Sequence, residues 1–179
     1  MADSTQLQSE INSIIELFSS GLIKEALSDV ETLTIKHPKE PLLYNISGVC
    51  LKTIGELEMA VKSFEKAIVI KPNFTDAHYN LGLTLYELNQ MQAAINSYEK
   101  ALTFQPNYAE VHNNLGIAQR ELGQINDAIK SYEKVLSINP DYAEAHNNLG
   151  NALYDRGELD EAINHYHKVI AIQPNNAEA

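Results

Sequence analysis

Proline falls on a lattice in this chain: Pro38, Pro72, Pro106, Pro140 and Pro174 are each 34 residues apart and account for five of the six prolines. A proline lacks an N–H and pushes the residue before it out of the helical region, so each position ends whatever helix precedes it. Other columns keep the same period. Alanine recurs at Ala26, Ala60, Ala94, Ala128 and Ala162, and glycine at Gly48, Gly82, Gly116 and Gly150. A second glycine column, Gly21, Gly55, Gly123 and Gly157, is interrupted only by Asn89, which tolerates the same left-handed backbone. Independent columns at one period mean stacked repeats, in which no unit buries its apolar face alone.

Between successive prolines the hydrophobic period is helical twice. Val111, Leu115, Ala118 and Leu122 step by four, three and four, the spacing of one helix face. Gly123 comes next, where positive φ closes a last turn. Ile125, Ala128, Ile129, Tyr132, Val135 and Leu136 then make the stripe of a second helix, which Pro140 stops at Asn139. Small residues, Gly116 and Ala128, fall where the two helices approach closely.

The 34-residue pattern of small, glycine, alanine and proline positions resembles the tetratricopeptide repeat, a helix-turn-helix unit, over nearly the whole chain. With the characteristic glycine as position 8 and the proline as position 32, the family's leucine at position 7 is Leu81, Leu115 and Leu149, and its aromatic at position 24 is Phe64, Tyr98, Tyr132 and Tyr166. The tryptophan at position 4 is replaced by Tyr44, His78, His112 and His146. The resemblance implies an all-α, right-handed superhelical solenoid of about five repeats. Its parts are a polar leader at 1–6, a degenerate repeat at 7–40 acting as N-terminal cap, repeats at 41–74, 75–108, 109–142 and 143–176, and the opening of a further helix at 177–179. In the cap, Ser13 and Ile14 stand where leucine and glycine belong. Phe74, Tyr108 and Tyr142, just past the prolines, are expected to plug the gaps between repeats. The outer face of the fifth repeat, around Ile163, Tyr166, Val169 and Ile170, is expected to be partly uncovered.

A net charge of −11 argues against a phosphate backbone or an anionic membrane as partner and favours a basic or neutral polypeptide. The beginning has no basic leader and no continuous apolar run, so the reading is a cytoplasmic protein without a membrane span. Cys50 is the single cysteine, which excludes an intrachain disulfide and reads as a small core residue. No phosphate-binding glycine loop, metal-ligand spacing or nucleophile with a placed base is present, so neither an enzyme nor a cofactor or metal site is expected. The histidine column would be spaced like helix axes, roughly 8–10 Å apart, too far for neighbours to share an ion; packing between helices is the expectation. His165 and His167, two apart on one helix, turn to opposite sides and are not expected to chelate.

In the tetratricopeptide resemblance, positions 2, 5, 6, 9, 12 and 13 of each first helix face an inner groove. The candidate peptide-binding residues are Tyr79, Asn80 and Tyr86 in the third repeat, Asn113, Asn114 and Arg120 in the fourth, and Asn147, Asn148 and Tyr154 in the fifth. An asparagine amide both donates and accepts, so a column of them suits an extended backbone whatever its side chains. Asn80, Asn114 and Asn148 are similar to the asparagine ladder of the repeat arm of O-linked N-acetylglucosamine transferases; Ile46 interrupts it. The alternative role for such an asparagine is a bond to the neighbouring helix. A carboxylate clamp of the chaperone-binding kind is not expected, because its lysine positions hold Ile11 and Asp76. The expected function is a non-catalytic module holding a peptide segment of another protein. Two alternatives are the substrate-recruiting arm of a larger glycosyltransferase or sulfotransferase and a scaffold that self-associates through its last repeat.

Overall fold

The computed structural model describes residues 2–174. The expected further helix at 177–179 and the end of the fifth repeat lie outside the described residues. Among the described residues all regular structure is helical, as the periodicity requires. The helices gather into two compact units, Met1–Leu88 and Asn89–Ala179. The division falls inside the third repeat, between its two helices.

The first unit holds α1 (Ala2–Ser19), α2 (Ile23–Lys36), α3 (Pro41–Thr53), α4 (Leu57–Ile70) and α5 (Thr75–Glu87). Each packs on the next, and α3 also lies beside α5. Its core joins Ile11, Ile14, Val30, Leu33 and Leu43. Ile14, in the glycine column, is 2% exposed, so the atypical first repeat fills with an aliphatic side chain the place where the others carry glycine. Helix α1 takes in residues 2–6 instead of leaving them as a leader. No proline or glycine stops it there, and Gln8 donates to Asn12 one turn on at 3.0 Å.

The second unit holds α6 (Met91–Phe104), α7 (Ala109–Glu121), α8 (Ile125–Ile138), α9 (Ala143–Arg156) and α10 (Leu159–Ile172). Here α7 lies beside α9, and α8 packs between α7 and α9. Ala128, Ile129, Tyr132, Leu149, Ala152 and Leu153 form one core.

The turns obey the columns. Gly123 has φ +76°, and the next amide, Gln124, reaches back to the Gln119 carbonyl at 2.9 Å, closing the last turn of α7. Asn89, the interruption in that column, takes φ +59° and is the one non-glycine residue with positive φ among those described. At the other turn Asn139 is extended, φ −134°, immediately before Pro140. Tyr108 and Tyr142 are half-buried at the starts of α7 and α9, so they fill their gaps only in part.

Glycine in the first helix serves a ring. A methyl group on Gly116 would stand 2.5 Å from Cε1 of Tyr132, on Gly48 2.5 Å from Cε1 of Phe64, and on Gly150 2.6 Å from Cε1 of Tyr166. The close approach is therefore between backbone and the position-24 aromatic, rather than between Gly116 and Ala128. Tyr132 is 1% exposed and has no room to withdraw. Gly116→Ala is expected to lower stability by about 1–3 kcal/mol in urea unfolding. The same change in a Tyr132→Leu background should cost markedly less, and equal costs in both backgrounds would refute the contact.

Candidate functional site on the first helices

The polar residues of the first helices are tied to one another at a spacing of 35, one residue more than the period. In the first unit Asn80 Nδ2 on α5 donates to Asn45 Oδ1 on α3 at 3.1 Å, and Lys52 Nζ meets Glu87 Oε1 at 2.7 Å. In the second, Asn148 Nδ2 on α9 donates to Asn113 Oδ1 on α7 at 3.1 Å, and Arg120 Nε donates to Asp155 Oδ2 at 2.7 Å. Asn113 Nδ2 in turn donates to Glu144 Oε1 at 2.9 Å. Position 5 thus accepts from position 6 of the next first helix, and position 12 pairs with position 13.

These rungs sort the candidates. Asn113, expected to face a ligand, is 3% exposed with both ends of its amide engaged, so it is a link between helices. Arg120 is held by Asp155, whose hydrogen bond raises the guanidinium pKa further. Asn80 and Asn148 are half-buried and each gives an amide hydrogen to the neighbouring helix. Asn114, Tyr79 and Tyr86 are half-buried. Asn147 is exposed, and Tyr154 is 62% exposed. In the second unit α7 carries Asn114, and α9 carries Asn147, Asn148 and Tyr154. In the first unit α5 carries Tyr79, Asn80 and Tyr86.

Sequence reading missed Asn45, the acceptor of Asn80, and the buried link inside the fourth repeat, where Ser131 Oγ donates to Gln119 Oε1 at 2.7 Å. The residue spacing of 35 was the available signal for the first. Nothing in the sequence pattern pointed to the second.

The histidine column has a packing role. Nε2 of His78, His112 and His146 each lies 2.9 Å from the carbonyl of the proline six residues back, Pro72, Pro106 and Pro140, and Tyr44 donates its hydroxyl to Pro38 O at 3.2 Å. Position 4 therefore fastens the loop that begins each repeat. In the fifth repeat His146 Nδ1 also faces His165 Nδ1 at 2.9 Å. With Nε2–H given to Pro140, the neutral His146 ring accepts there and His165 donates.

Paired helices in 34-residue units define a helical-repeat protein, and comparison with known proteins names the class. Family models described as TPR repeat match residues 53–89, 82–123 and 118–155, and one described as tetratricopeptide repeat matches 143–176. The matches span more than half of the 179 residues, and the chain belongs to the tetratricopeptide repeat family. Its fold is similar to the crystal structure of MamA, with 25% identity, TM-score 0.85, and coverage of 92% of this chain and 96% of that one. It is similar also to MamA from residue 41 to the end from Desulfovibrio magneticus RS-1, at 23% identity and TM-score 0.86, covering 93% and 94%. The crystal structure of YrrB, a TPR protein with an unusual peptide-binding site, aligns at 23% identity and TM-score 0.80, covering 93% and 86%. No curated protein sequence matches the chain. Among the described residues no helix is long and apolar enough to cross a membrane.

Asn113→Ala strands the Asn148 amide and the Glu144 carboxylate, and should cost about 1–2 kcal/mol in urea unfolding, whereas exposed Asn147→Ala should stay within about 0.5 kcal/mol. Stability should also depend on pH. Burial lowers the pKa of His112 and of His165 below the ordinary 6.5, helped by Lys134 for the first and by His146 and Lys168 for the second; Pro106 and Glu161 oppose it. The unfolded chain then binds more protons than the folded one just below pH 6.5. Stability should therefore be complete above that value and fall as pH drops toward 5. Thermal melts across this range should show the decline, and His165→Asn should flatten it.

Proposed function

We propose that this chain is a non-catalytic protein-interaction module that holds an extended, basic or neutral peptide segment against its first helices. The observation that carries the reading is a polar set on two first helices: Tyr154 and Asn147 on α9 are exposed and outside the rungs, and Asn148 on α9 and Asn114 on α7 are half-buried. Asn148 uses one amide hydrogen on Asn113, so it keeps its carbonyl and second hydrogen for a ligand, and Asn80 on α5 is placed alike. A peptide backbone offers the matching groups at every residue. Tyr154 adds a rigid aromatic surface.

Charge sets the class of peptide. Glu110, Glu121 and Glu144 stand on α7 and α9, while Arg120 and Asp155 neutralise each other. An acidic segment would meet repulsion, and a basic one attraction. YrrB, similar in fold, is described by its peptide-binding site, in keeping with this reading. A cytoplasmic location suits the chain, whose only thiol, Cys50, is fully buried and pushed up in pKa by that burial.

Fluorescence anisotropy with two labelled peptides, one lysine-rich and one glutamate-rich on the same polar background, tests this directly. The lysine-rich peptide should bind, weaken as salt rises, and lose about tenfold in affinity to a chain carrying Asn147→Ala and Tyr154→Ala with unchanged helicity. Equal binding of both peptides, or indifference to the double change, would sink the proposal.

A further inference from the structure

The rungs that tie first helices together have apolar counterparts at the start of the first unit. Position 5 to position 6 is Asn45–Asn80 between α3 and α5, and one repeat earlier it is Ile11 and Ile46. Position 12 to position 13 is Lys52–Glu87, and one repeat earlier it is Phe18 and Thr53. Neither rung can form between α1 and α3, and α1 lies less closely against α3 than α5 does. The gap between them is a cavity of about 130 Å³ lined by Ile15, Phe18, Asn45, Ile46 and Val49. It is open to solvent: Ile15 is 47% exposed, and Phe18, Ile46 and Val49 are half-buried. Its one polar wall residue, Asn45, is buried and already accepts from Asn80.

The gap belongs to the inside of the unit. A second helix packs against its own first helix and the next one, as α2 does on α1 and α3, and α4 on α3 and α5. Helix α2 contributes no residue to the cavity wall. Lengthening such a stack adds helices beyond its ends and places none between α1 and α3, so the repeat fold itself does not fill this space.

We infer that the cavity is a side-chain pocket, which takes one leucine-sized aliphatic side chain of an extended peptide segment from another protein whose backbone meets Asn80. The inference rests on the peptide-holding role proposed above, and it names a side chain that the peptide carries. Size sets the upper limit: an apolar cavity of about 150 Å³ stays dry and takes a group as large as benzene. Charge sets the class. No titratable side chain lines the pocket, so a charged or polar group entering it would lose hydration without a partner, whereas an aliphatic one gains by leaving water. The backbone contact adjoins it, because Asn80 bonds the wall residue Asn45 through one amide hydrogen and keeps its carbonyl and second hydrogen. Ile46 stands where the asparagine column breaks. There the chain exchanges an amide that suits any peptide for a wall that selects among side chains. The chain's own strongly exposed aliphatic residues Ile35 and Val69 ride on helices, whereas the Asn80 amide suits an extended backbone.

The probe is the lysine-rich peptide described above, with a single leucine placed at each position in turn and alanine there as the reference. At its best position leucine should raise affinity at least about tenfold over alanine in fluorescence anisotropy. Methyl shifts in the isotope-labelled chain should then concentrate at Ile15, Ile46 and Val49. Ile15→Asn should bring the two peptides to within about twofold of each other while leaving the alanine peptide's affinity as it was, and Ile15→Leu should keep the difference. A thermal melt of each variant separates lost binding from lost folding. Equal affinity of leucine and alanine peptides at every position, methyl shifts confined to other helices, or a leucine advantage that Ile15→Asn leaves intact would each overturn the inference. So would a concentration-dependent doubling of mass that Ile15→Asn abolishes, which gives the pocket to a second copy. If leucine adds nothing but the alanine peptide binds and weakens on the Asn147→Ala and Tyr154→Ala change, the interaction module stands and the pocket falls. Failure of every peptide to bind brings down both.

Discussion

The contact on which the repeats depend is a ring laid against bare backbone. Gly48 under Phe64, Gly116 under Tyr132 and Gly150 under Tyr166 leave space for an aromatic edge where any side chain would collide. This fixes how near the two helices of a repeat come. Interiors are close-packed, so the separation set at that point propagates to the alanines and aliphatic residues around it. The second helices, wedged between the first helices, then set the spacing of the latter. The rungs Asn80–Asn45 and Asn148–Asn113 reach the same 3.1 Å in different units because the same spacer sits beneath each.

How far the sequence could be read depends on whether a residue's fate is decided inside its own repeat. Asn89 could be placed at positive φ, Asn139 outside the helix and Tyr132 in the core, because each is governed by neighbours within 34 residues. The candidate site is different. His112-Asn113-Asn114 and His146-Asn147-Asn148 are the same three residues at the same repeat positions, yet Asn113 is buried and Asn147 exposed. The cause is the first helix of the next repeat: α9 lies beside α7 and covers Asn113. No local pattern contains that information, so a groove drawn by repeat position alone assigns both asparagines to the ligand.

One substitution off the pattern has the same lesson from the other direction. Position 23 is serine at Ser63, Ser97 and Ser131, and histidine at His165. Ser131 turns its hydroxyl to Gln119 on α7, while His165 meets His146 on α9. In the fourth and fifth repeats this position thus keeps a polar link between the two helices, as a hydroxyl–amide bond in one and an imidazole pair in the other. Spacing along α10 separates His165 from His167 but is blind to this pairing, because the partner of His165 is on the helix beside it.

Polar rungs and apolar packing divide the work between them. Lys52–Glu87 and Arg120–Asp155 are partly solvated pairs, each contributing on the order of 0.2–1 kcal/mol, while a buried aliphatic or aromatic side chain contributes about 1.5–3 kcal/mol. The rungs therefore add little to the stability of a stack that its core already holds. Their consequence is orientational: with position 12 turned to position 13 of the next helix and position 5 to position 6, the charged ends of Arg120 and Lys52 are drawn sideways along the face. That leaves carboxylates, amide edges and Tyr154 as the chemistry directed outward. Under the proposed peptide-binding role, a ligand would meet a face on which Arg120 and Lys52 are already paired, and a preference for uncharged backbone or basic side chains would follow from how the helices hold their register.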